Sequence, residues 1–180
     1  IERGEHATPH GLDLDTGGYE PIDLAYEELL IPVGPAGTHW STANDMAEYL
    51  QTVLARGVAP NGTRVVSEEN LGVTWVPQVP ISATDSYGLG WIIGSHKGAP
   101  YYSHGGNTIG FTSEFAFLPE VDLGIVILAN AQAANSFTGA VTSRFLELVY
   151  QQPEEALAQT EFVVEQTESA LREQRSQVPN

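Results

Sequence analysis

His104 is followed by Gly105, Gly106 and Asn107, and it closes an aromatic run, Tyr101-Tyr102-Ser103. Imidazole is the side chain whose ordinary titration falls nearest neutral pH. Two residues without Cβ directly after it would let a ligand carbonyl lie against main-chain N–H groups. Such donors stabilise a developing oxyanion by a few kcal/mol, and a neighbouring histidine adds a hydrogen bond or charge. The plainer reading is a hairpin-end histidine making one hydrogen bond, with the glycines supplying positive φ for a turn. These four residues alone leave both readings open.

Other chemistry is sparse. His6 and His10 are four residues apart, but Pro9 lies between them and no His-Glu-x-x-His pattern occurs, so no metal site is expected. No phosphate-binding glycine loop precedes Lys97, the one lysine of the chain. A Ser-x-x-Lys pair would need serine at position 94, which is Gly94, and there is no Gly-x-Ser-x-Gly elbow. The chain therefore carries no recognisable activated nucleophile, and no cofactor is expected. If His104 acts in an enzyme site, activity should change across the ordinary histidine range, roughly pH 5 to 8.

The 180 residues suffice for a sizeable core, and 42% hydrophobic against 17% charged residues describe a folded chain. Seven basic against 23 acidic side chains give a net charge of −16, which repels nucleic acid and anionic lipid. No apolar run reaches the ~18 residues of a membrane-spanning helix. Cysteine is absent, which excludes disulfides and thiolate metal sites. Residue 1 is not Met and the first residues are polar, so a removed leader or a cut chain is expected upstream.

The elements that must position His104 are read from periodicity and breakers. Residues 1–39 hold many prolines and glycines and read as a loop-rich lead-in. Thr42 with Asp45 caps a helix whose apolar face is Met46, Tyr49, Leu50, Val53 and Leu54, closed by Gly57 at C′. Ser67 caps a short helix to about Trp75, and residues 76–86 read as loop. Strands follow at 87–93, 101–104, 111–118 and 121–129, with short connections that require antiparallel neighbours. Residues 123–128 are apolar on both faces and are expected at the centre of the sheet. Phe137, Val141, Phe145, Leu148 and Val149 define a helix expected to lie on the sheet, and Pro153 ends it. Residues 153–180 read as an acidic helical tail or linker. The fold class is α+β: an antiparallel meander flanked by helices.

Four stretches in order resemble one family. Residues 35–46 (PAGTHWSTANDM), 87–91 (YGLGW), 103–113 (SHGGNTIGFTS) and 126–130 (VILAN) are similar to the C-terminal part of the serine β-lactamase and penicillin-recognising proteins, closest to the class C and esterase-like branch. The resemblance covers about residues 35–150. It implies the C-terminal part of a β-lactamase/transpeptidase-like fold, with residues 40–152 as its C-terminal half. It implies that His104-Gly105-Gly106 is the third active-site motif, that His104 faces substrate, and that the backbone N–H of Asn107 is an oxyanion donor. The family's Ser-x-x-Lys and its tyrosine lie upstream and have no counterpart here. The expectation is thus one segment of a serine hydrolase, acting on a small-molecule ester, amide, D-amino-acid peptide or β-lactam, with the N-terminal fragment of the same enzyme as partner. Histidine in place of lysine leans toward an esterase or peptidase, and the family leans toward a periplasmic or secreted location. A non-catalytic binding or regulatory module of the same fold is the alternative. Tyr87, Trp91, Phe115 and Phe117 are read as core.

Overall fold

Thr42 opens the first long helix of the computed structural model, which describes residues 5–13 and 15–176. Its hydroxyl accepts from the Asp45 N–H at 3.1 Å and donates to the Asp45 carboxylate at 2.9 Å, a reciprocal cap. Helix α2 (Ala43–Leu54) follows a one-turn helix α1 (Gly34–Gly37). It ends one residue earlier than expected. Arg56 takes the left-handed conformation (φ +54°) at C′ and donates to Val53 O, while Gly57 donates to Thr52 O at 2.8 Å. This is a Schellman closure with glycine at C″. Ser67 caps α3 (Glu68–Thr74) by accepting from the Asn70 N–H. Residues 63–66 make only a bridge, Val58 to Arg64, rather than a strand.

The lead-in is more ordered than its breakers suggest. It contains a hairpin, β1 (His10–Leu12) with β2 (Tyr19–Pro21), and a 3-10 helix, Leu24–Val33, capped by Asp23.

The main sheet has six strands in sequential order: β3 (Val79–Pro80), β4 (Ser86–Tyr87), β5 (Ile92–His96), β6 (Ala99–Asn107), β7 (Thr112–Leu118) and β8 (Leu123–Ala129). Its connections are too short for a parallel crossover, so the meander is antiparallel. Four expectations change here. Residues 87–93 are not one strand: Gly88, Leu89, Gly90 and Trp91 form the turn between β4 and β5, closed by Gly88 N–H donating to Trp91 O, with Gly90 at φ +81°. The β5–β6 connection is only Lys97-Gly98, both at positive φ, as a two-residue hairpin of the primed type requires. Strand β6 runs on through Gly105, Gly106 and Asn107. Strand β8 lies at the edge of the sheet, not its centre, with Leu123 and Leu128 each 44% exposed.

Two compact units are distinguished. One takes His39–Gly106 and Ser113–Leu128, and holds nearly all of the sheet with α2 and α3. Its core joins Leu50 and Val53 of α2 to Trp75, Trp91 and Phe117. Phe117 is fully buried, with ring centroids 4.7 Å from Trp91, 5.1 Å from Tyr102 and 5.2 Å from Trp75. Each such ring contributes about 1.5–3 kcal/mol of transfer free energy.

The other unit takes the residues up to Thr38, Asn107–Thr112 and those from Ala129 onward. It contains α4 (Asn135–Val149) packed on α5 (Ala156–Ser176), so residues 156–176 of the tail form a helix docked on α4. The buried face of α4 is Thr138, Thr142, Leu146 and Glu147, while the expected contact residues Phe137 and Leu148 are exposed. The i, i+4, i+8 spacing of Thr138, Thr142 and Leu146 is a proper helical stripe, hidden from a hydrophobicity count by its threonines.

Candidate active site

Strand β6 carries His104, Gly105, Gly106 and Asn107 in succession. Neither glycine has positive φ, so they are not the turn of the plainer reading. What requires glycine at 105 is space. A Cβ there would overlap Oε2 of Glu114 and stand 3.2 Å from the Ser113 carbonyl oxygen. A Cβ at 106 would meet Ser113 Oγ at 3.1 Å. Both glycines thus let β7 side chains lie against the β6 backbone.

His104 is half-buried and held on two sides. Its Nε2 is 3.0 Å from the Tyr87 hydroxyl, and its ring stacks on Phe115 at 6.3 Å with 25° between planes. Tyr87 is therefore not plain core, although Trp91 and Phe117 are. Sequence reasoning missed it because residues 87–93 were read as one strand. The two glycines of Tyr-Gly-Leu-Gly-Trp were the available signal of a turn that folds β4 back.

Glu114 was also missed. It occupies a strand position opposite in parity to Phe115 and Phe117, next to a residue with no side chain. Burial pushes its carboxyl above the ordinary value. The neighbouring Tyr101 hydroxyl is also pushed up, first by burial and then by the negative charges of Asp85 and Glu114.

Asn107 is exposed, and its side-chain oxygen lies 3.0 Å from Thr112 Oγ1. Thr112 is itself buried; its hydroxyl is 2.8 Å from Ala131 O and accepts from the Ala134 N–H at 3.1 Å. The connection after Asn107 is held by Glu27, whose buried carboxylate accepts from the Gly110 N–H. Nearby in the chain order, Asn130 donates to Thr8 O at 2.8 Å, and His10 Nδ1 is 3.0 Å from Asn130 O. His10 is thus engaged with the backbone rather than with His6. Among the described residues no group of three or more His, Asp or Glu is placed to hold a metal ion, and no helix is long and apolar enough to cross a membrane.

A family model described as Beta-lactamase matches residues 2–147, and the chain belongs to that family. It is 32% identical over 140 residues to penicillin-binding protein 4 of Amycolatopsis lactamdurans, covering 72% of this chain and 34% of that protein. It is 27% identical over 128 residues to the unguisins hydrolase ungD' of Aspergillus campestris (strain IBT 28561), covering 68% and 22%. The chain thus spans about a third or less of the curated relatives it matches. Among solved structures, the octameric penicillin-binding protein homologue from Pyrococcus abyssi superposes with a TM-score of 0.62 at 22% identity, over 84% of this chain and 32% of that one. The penicillin-binding protein from Bacillus halodurans gives 0.58 at 23% identity, over 76% and 39%. At these identities the structural likeness concerns the fold.

Proposed function

We propose that this chain forms the oxyanion-side part of a serine hydrolase. The placement of His104, Gly105 and Gly106 on one extended strand, in a chain of this family, carries the reading. A serine outside these 180 residues, in a Ser-x-x-Lys pair, attacks the acyl carbon of an ester, D-amino-acid peptide or β-lactam. The tetrahedral oxygen takes its negative charge beside the Asn107 N–H, the leaving group departs with a proton, and water then cleaves the serine ester. His104 lines the site and directs a hydrogen bond at a substrate oxygen. The glycines keep the strand free of side chains, so that substrate can run along it.

The edge position of β8 supports the part of the reading that places more of the sheet elsewhere. Leu123 and Leu128 are exposed there, and Ala43, Ala47, Leu50 and Leu54 of α2 line an open apolar groove against Leu123, Gly124 and Val126. A further segment of the same enzyme is the occupant that would cover both.

An active-serine phosphonate tests the proposal, applied to the protein as isolated and followed by intact-mass and peptide mapping. The expected adduct lies on a serine outside this chain. An adduct on one of the serines present here would overturn the placement of the nucleophile. No adduct at all would overturn the hydrolase reading in favour of a non-catalytic module of the same fold.

A further inference from the structure

The hydroxyl of Tyr87 meets Nε2 of His104 at 3.0 Å, and Nδ1 has no hydrogen-bond partner among the described residues. The side chain that supplies this contact is unusually well fixed. Tyr87 ends a two-residue strand, its carbonyl accepts from the Gln78 N–H at 2.8 Å, and the next residue closes the turn to Trp91 O. Gly88 can be nothing larger: a Cβ there would stand 2.5 Å from Thr74 O and 3.1 Å from Ile93 Cδ1. Leu89 N–H also donates to Thr74 O at 3.0 Å. The end of α3 therefore anchors the turn, and the turn sets the phenol against the imidazole. The Phe115 ring also stacks on the imidazole, 6.3 Å between centroids.

The chemistry of the two groups favours one direction for this hydrogen bond. A phenol is a strong O–H donor and a poor acceptor, whereas a neutral imidazole nitrogen is a good acceptor. With Tyr87 as donor and Nε2 as acceptor, the neutral ring carries its proton on Nδ1.

We propose that Tyr87 is a positioning residue that holds His104 as the Nδ1–H tautomer, so that His104 meets substrate as a neutral N–H donor through Nδ1. The consequence deepens the hydrolase reading, on which its functional half rests. The site would recognise an acceptor oxygen, an acyl carbonyl or a carboxylate of the substrate, without needing a protonated imidazole. His104 would not act as a base through Nε2, because that nitrogen is occupied. The phenol is the group that orients the imidazole.

Long-range nitrogen–proton correlation spectra of the 15N-histidine-labelled protein, recorded above the histidine titration range, read the tautomer directly. The expected His104 pattern has a protonated Nδ1 and an unprotonated Nε2. Tyr87→Phe removes only the hydroxyl and should shift His104 toward the Nε2–H form, which free imidazole side chains favour. In the protein that labels with phosphonate, the same variant should lower kcat/KM by up to about tenfold, the scale of one hydrogen bond, and should add nothing to the loss caused by His104→Ala. A wild-type spectrum with the proton on Nε2 overturns the proposal even where the variant fails to fold. So does a tautomer that Tyr87→Phe leaves unchanged. Failure of phosphonate labelling bears on the hydrolase reading alone, and the tautomer result stands apart from it.

Discussion

Glu114 lies across the backbone of Gly105, on the strand next to the one that carries His104. Its carboxyl is held above the ordinary value by burial. For a carboxylate the sign is then unfavourable at neutral pH. A group with a raised folded value stabilises the fold only in its protonated form, so the benefit is complete in acid and is lost as pH rises through the folded value. Glu114→Gln keeps the shape and removes the charge. It should raise the melting temperature at pH 7, and the gain should vanish once the pH falls below the ordinary carboxylate range. Thermal unfolding of both proteins across pH checks this. A variant equally or less stable at pH 7 would show that the carboxylate is well solvated.

The same relationship makes Gly105 a tight position for any side chain. Gly105→Ala forces Cβ against Glu114 Oε2 and close to the Ser113 carbonyl. The side chain can swing aside and the backbone cannot, so the cost should be about 1–3 kcal/mol. Pairing it with Glu114→Ala in a double-mutant cycle should recover at least about 0.5 kcal/mol of that loss, as coupling between touching residues does. Strict additivity in denaturant unfolding would mean that the clash is with the strand rather than with the carboxylate.

These contacts mark the limit of what could be read before the structure. The helix starts at Thr42 and Ser67 were legible because a cap is a bond between a side chain and its own next turn. The end of α2 was read one residue late because Arg56, not glycine, takes the left-handed C′ position. His104-Gly105-Gly106-Asn107 was legible as a candidate site from residue type. Its extent as strand was not, since glycine punctuates turns more often than it fills extended backbone. The apolar character of Leu123 and Leu128 reports a surface that wants covering, and it carries no information about strand order, so an edge was mistaken for a centre. Tyr87 became visible as a partner of His104 only with the β4–β5 turn: the glycines at 88 and 90 signal the turn, but the strand pairing that brings the phenol to the imidazole is not a local pattern.

Thr112 is a third point of control. One hydroxyl faces Asn107 Oδ1 at 3.0 Å and Ala131 O at 2.8 Å, and it accepts from the Ala134 N–H. It has a single proton to share between the two oxygens. Thr112→Val preserves the volume and removes the hydroxyl that pairs with the half-buried backbone groups at 131 and 134, which should cost about 1–2 kcal/mol. Thr112→Ser should recover most of this. Chemical denaturation of the two variants decides the matter: equal losses would assign the effect to the methyl group, not to the hydroxyl.

Glu147 gives the last prediction. Its side chain is fully buried on α4, and Oε1 accepts from the backbone N–H groups of Glu155 and Ala156 at 2.9 and 3.0 Å, at the start of α5. Oε2 pairs with Arg144 at 3.3 Å, and Arg144 also reaches Glu154 at 3.0 Å. A side chain from one helix thus caps the next, after Pro153 has ended any continuous path between them. The stabilisation lies in charge-assisted hydrogen bonds to N–H groups that have no helical partner. Glu147→Ala should cost about 3 kcal/mol, on the scale of hydrogen bonds to a charged group, while Glu147→Gln, which keeps an acceptor oxygen, should cost less. The loss should be local at first. Amide exchange should quicken over residues 156–166 and stay unchanged in β6 and β7. Uniform acceleration across both regions would show that α5 and the sheet unfold as one cooperative body, with Glu147 acting on the whole rather than as the fastener of one helix.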